Sequence, residues 1–65
     1  MIQKLVARLS DEDPLTRRNA AAALRLHGRR AMAAIPELAR LLADEDPAVQ
    51  AEAQRALDRL RTVAA

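Results

Sequence analysis

The chain has 65 residues, 51% hydrophobic and 31% charged, with a formal net charge of +2 and no Cys, Phe, Trp or Tyr. That composition suits one small helical domain and excludes disulfide staples, thiolate metal sites, a cysteine nucleophile and aromatic platforms for stacking nucleic-acid bases. Apolar stretches are broken by Arg or Glu within a few residues, so no segment is fit to span a bilayer, and Met1-Ile2-Gln3-Lys4 lacks the layout of a signal peptide; a cytoplasmic location is expected.

In chain order, a first helix is expected near 1–10, where Ile2, Leu5, Val6 and Leu9 follow the i, i+3, i+4, i+7 rule of an amphipathic helix. Asp13 then offers a carboxylate to cap the next helix, and Pro14 suits the first helical position, where a missing N–H costs nothing. That second helix is expected near 14–27, with Ala20, Ala23, Leu24 and His27 on its buried stripe. Gly28 supplies the left-handed residue that ends it, and Arg25, Arg29 and Arg30 sit near its negative terminus. A third helix is expected near 30–43, kinked at Pro36, which cannot donate to the carbonyl of Met32. Asp46 and Pro47 repeat the cap-and-proline pair ahead of a fourth helix near 47–63.

The run Asp11-Glu12-Asp13-Pro14 recurs verbatim as Asp44-Glu45-Asp46-Pro47, 33 positions later. The same offset pairs Ile2 with Ile35, Leu5 with Leu38, Leu9 with Leu42, Ala20 with Ala53, Ala23 with Ala56 and Leu24 with Leu57. The expected organisation is therefore a single domain of two helical hairpins, about 1–28 and about 29–65.

The segments Ala34-Ile35-Pro36-Glu37-Leu38, Leu41-Leu42 and Asp44-Glu45-Asp46-Pro47, with Val49, Ala53, Ala56-Leu57 and Leu60, resemble a short HEAT repeat of the bilin-lyase-like kind. The resemblance covers practically the whole chain. It implies an all-α fold, two tandem HEAT-like hairpins of four helices forming a fragment of an α-solenoid, and a scaffold role without catalytic activity. It further implies that Arg17 occupies the place of a family arginine that bonds an aspartate of a turn, building a ladder along the stack. Asp11, Asp13 and Asp44 are the candidate partners, and Gln50 replaces the arginine in the second copy. Thr16 and His27 depart from the family pattern, standing where it has Val and Leu.

Candidate chemistry is sparse. His27 is the sole histidine, and without Cys or a second imidazole it has neither the donors of a zinc site nor an orienting partner for catalysis. The acidic triplets are accounted for by capping and ladder roles, so no metal, cofactor or catalytic residue is expected. Arg17, Arg18, Arg25, Arg29 and Arg30, with Arg55, Arg59 and Arg61, could form a basic stripe that tracks nucleic-acid phosphates. The small net charge, the neighbouring carboxylates and the missing aromatics weigh against that alternative.

The feature that stands out is a second apolar stripe. Leu15, Asn19, Ala22 and Leu26 recur at i, i+4, i+7, i+11, away from Ala20, Ala23 and Leu24, whereas their counterparts Ala48, Glu52, Arg55 and Arg59 are mostly polar. Either the fourth helix covers this stripe beneath the stems of Arg55 and Arg59, or it is an exposed patch that docks another chain. The second reading is the expectation, with Arg18, Arg25 and Asp58 as rim contacts and Met1 or Val63 joining from the termini. Lys4 and Arg8 read as a polar cap at the amino end, because Leu41 is the counterpart of Arg8. Such stacks normally need three or more repeats, so a homo-oligomer is expected, most simply a two-fold dimer.

Overall fold

Cap chemistry sets most of the helix boundaries. The computed structural model describes residues 2–64, with α1 at Ile2–Arg8, α2 at Pro14–His27, α3 at Ile35–Arg40 and α4 at Pro47–Ala64. Helix α1 stops short of the expected residue 10, and Leu9 and Ser10 turn the chain with N–H donations to Val6 and Ala7. Helices α2 and α4 are the long elements, and they pack against each other more extensively than any other pair of described elements.

The continuous third helix expected at 30–43 does not form. Gly28–Ala34 winds as a 3-10 helix, α3 begins at Ile35 with Pro36 in its first turn, and Leu41–Ala43 tightens again into 3-10 geometry. Proline is the cause. Pro36 has no N–H to extend a ladder from the preceding turn, so instead of kinking a running α-helix it starts a new one, where that missing donor is harmless.

The core joins the leucines Leu9, Leu24, Leu38, Leu41, Leu57 and Leu60 and Val49 to six alanines, at 20, 21, 31, 34, 53 and 56. Small side chains at those six positions let the helix backbones approach closely, and the leucines fill the remaining volume. Among the described residues the enclosed core holds no polar or charged residue. His27, expected on the buried stripe, is only partly covered, as are Leu5 and Ala23, whereas their counterparts Leu60, Leu38 and Ala56 are fully buried. Leu5 and Ala23 line an open groove with Arg8, Thr16 and Asn19 on the amino-terminal flank, which no other described element covers. Lys4 and Arg8 are exposed on α1. Leu9 and Leu42 show the reverse relation: Leu9 is buried and Leu42 is 38% exposed.

Gly28 ends α2 with its N–H donated to the carbonyl of Arg25. Its φ of 61° is positive, but its ψ of −128° lies away from the left-handed helical value expected for a simple helix stop. The difference sends the chain directly into the 3-10 segment. A Cβ at this position would meet nothing within 4 Å, so the requirement for glycine lies in the backbone rather than in packing. Gly28→Ala is expected to lower the unfolding free energy by about 1–3 kcal/mol in urea titration, while D-alanine, introduced by chemical synthesis, leaves it near the parent value. Equal losses for both enantiomers would place the constraint elsewhere.

Candidate protein-interaction face on α2

Two turns with the same internal bonding carry the long helices. In the first, the Asp11 carboxylate accepts the N–H of Asp13 at 2.9 Å, and the Asp13 carboxylate accepts the N–H of Leu15 at 2.9 Å, capping α2. In the second, the Asp44 carboxylate accepts the N–H of Asp46 at 2.9 Å, and the Asp46 carboxylate accepts those of Ala48 at 2.8 Å and Val49 at 3.3 Å. Pro14 and Pro47 are the first residues of their helices. Each turn thus ties itself and supplies an acceptor to otherwise orphaned helical donors.

Arg17 connects the turns. Its Nε and Nη2 donate to the two carboxylate oxygens of Asp44 at 2.8 and 3.1 Å, while Nη1 donates to the carbonyl oxygens of Asp11 at 2.7 Å and Glu12 at 3.0 Å. Of the three carboxylates open to it from sequence, the guanidinium takes that of Asp44; Asp11 contributes its backbone, and Asp13 is occupied with capping. Gln50 donates its side-chain N–H to the Asp44 carbonyl, the counterpart of the Arg17 bond to Asp11. What the glutamine lacks is the charged fork reaching into another turn. The Arg17 and Asp44 side chains are only 12% and 7% exposed. The hydrogen bonds from Arg17, aided by the Asp46 N–H, hold the Asp44 carboxyl below its ordinary value against the opposing effect of burial. The same bond raises the Arg17 guanidinium.

A second clip lies further along. Arg25 Nε donates to Glu52 at 3.1 Å, and Arg55 Nη1 approaches the other oxygen of Glu52 at 3.4 Å. Sequence reading placed Glu52 only as a polar counterpart on the stripe and missed this role. The available signal was spacing, because Arg25–Glu52 and Arg17–Asp44 are both separated by 27 residues.

These contacts orient α2. Ala20, Ala21 and Leu24 point into the core, and the stripe on the opposite side stays open: Leu15 is 51% exposed and Leu26 79%. Asn19 and Arg18 are exposed, and Ala22 is partly so. Helix α4 does not cover the stripe; Arg25, Arg55 and Arg59 border Leu26 around a shallow depression. Asp58 is engaged on its own helix by Gln54 at 2.9 Å, Val63 is partly buried, and Met1 lies outside the described residues. Among the described residues no three His, Cys, Asp or Glu side chains converge as a metal site, and no helix is long and apolar enough to cross a membrane.

An all-helical chain, paired acidic turns and a charged tie from one turn to the other define a helical repeat protein. The sequence model for HEAT repeats matches residues 2–65, and the chain belongs to the HEAT-repeat family. Neither the curated proteins nor the solved structures gave a match. HEAT repeats generally mediate protein–protein interaction, and the family is typically one of non-catalytic scaffolds.

Because the Asp44 carboxyl is held low in the folded chain, its stabilising contribution is complete above the ordinary carboxylate value of 3.8 and is lost as pH falls through the lowered one. Thermal melts followed by far-UV circular dichroism are expected to show the midpoint falling in that acid range. Asp44→Asn lowers the midpoint at neutral pH and flattens the acid-dependent fall. Arg17→Lys also melts lower at neutral pH, because an ammonium cannot reproduce the two-pronged carboxylate bond together with the carbonyl contacts. A lysine variant that melts like the parent would deny the fork its role.

Proposed function

We propose that the chain is a cytoplasmic, non-catalytic interaction module that self-associates through the outer face of α2. In this reading it is one domain of two tandem helical hairpins, about 1–28 and about 29–65, the first arm of the second hairpin being the composite segment around α3. Leu15, Asn19, Ala22 and Leu26 form the contact, with Arg18 and Arg25 at its rim, and two copies related by a two-fold axis form the simplest assembly.

One observation carries the reading: Leu15 and Leu26 are the most exposed large aliphatic side chains among the described residues, and both lie on one face of one helix. Isolated surface leucines are ordinary, but a pair three turns apart on an aligned stripe is a docking surface in miniature. A small domain without aromatic side chains also gains disproportionately from additional apolar burial. Phosphate binding by the arginines is the weaker reading, since Arg17, Arg25, Arg40 and Arg55 are already engaged by carboxylates of the same chain.

Light scattering over a dilution series is expected to give a dimer that dissociates on dilution. The double variant Leu15→Glu, Leu26→Glu is expected to stay helical and to run as a monomer, because both side chains point away from the core. An unchanged oligomer in that variant would remove the α2 face from the reading, and a parent chain monomeric at every concentration would remove self-association.

A further inference from the structure

The α2 face has a direction as well as a composition. Its apolar and small positions, Leu15, Asn19, Ala22 and Leu26, are spaced four, three and four residues apart, a pattern that reads the same from either end. A two-fold axis perpendicular to α2, midway between Asn19 and Ala22, therefore exchanges Leu15 with Leu26 and Asn19 with Ala22. The two leucines stand about 16 Å apart along the helix, so an antiparallel copy meets both at once.

The charges at the ends of this stripe are opposite. At the amino end of α2 lies the exposed turn Asp11, Glu12 and Asp13; just beyond its carboxyl end lie exposed Arg29 and Arg30. Among the described residues neither arginine has a carboxylate within ion-pair distance, and the Glu12 side chain accepts no hydrogen bond. The same axis that exchanges the leucines exchanges Glu12 with Arg29 and Asp11 with Arg30 by sequence position. A parallel arrangement would instead set acidic turn on acidic turn and arginine pair on arginine pair. Helix dipoles favour the antiparallel choice in the same sense. The formal net charge of only +2 leaves little long-range repulsion between copies.

Resting on the self-association reading above, we propose that the occupant of the α2 face is a second copy of this chain, docked antiparallel, with Leu15 of each protomer against Leu26 of the other. The acidic turn of each then lies beside the partner's Arg29 and Arg30. The apolar stripe supplies the contact and the charged ends fix its direction.

The chain has no cysteine, which makes orientation directly readable. Single variants Leu15→Cys and Leu26→Cys are mixed at concentrations where the parent is dimeric and then oxidised. A disulfide needs Cα atoms within about 4.4–6.8 Å, so the cross-link reports which positions face each other. The expected result is a covalent dimer containing one chain of each kind, absent from either variant alone. Covalent dimers within each separate variant would show a parallel pair and overturn the proposal, as would a dimeric mixture that yields no cross-link. Neither of those results touches self-association, whereas a parent chain that never dimerises overturns both readings.

Charge exchange gives an independent measure. Glu12→Arg and Arg29→Glu are each expected to weaken dimerisation roughly two- to fivefold, as for exposed ion pairs, and their combination in one chain to restore it. Additive loss in the combined variant would overturn the antiparallel register.

Discussion

Everything in this fold is arranged around the side-by-side placement of α2 and α4. The alanines at 20, 21, 53 and 56 permit the close approach, and the bonds from Arg17 to Asp44 and from Arg25 to Glu52 hold the pair from one end toward the other. Apolar burial supplies the attraction but specifies direction poorly. The guanidinium forks supply direction, since a bidentate bond tolerates little sliding or rotation. With Ala20, Ala21 and Leu24 committed to the core, the opposite face of α2 has nowhere to point but outward.

How far the sequence foretold this depended on the range of the interaction concerned. The limits of α2 follow from Asp13, Pro14 and Gly28, whose effects act within a turn of themselves. The core could be read from helical spacing and the 33-residue repeat. The break before α3 is harder to read, because a proline inside a helical pattern can either kink a running helix or start a new one, and the residue alone does not decide between them. His27 falls on the helical spacing of the buried stripe, but periodicity identifies a face without saying how far along the helix that face stays covered.

Side-chain partnerships were the least legible part. Arg17 had three plausible carboxylates, and the choice was made by the apposition of two turns far apart in sequence. Glu52 gave no local sign that it would serve Arg25. The exposure of Leu15 and Leu26 was a choice between two packings of α4, each consistent with the same residues, and only the three-dimensional arrangement separates them.

The constant separation of 27 residues in the two arginine clips also bears on how the chain finds its shape. Closing a loop of that length carries an entropic cost that grows only slowly with length, and the second loop overlaps the first, so it adds less once the first is closed. Because both ties span well over a third of the chain, they raise the mean sequence separation of contacts, and loop closure has to be met before they contribute.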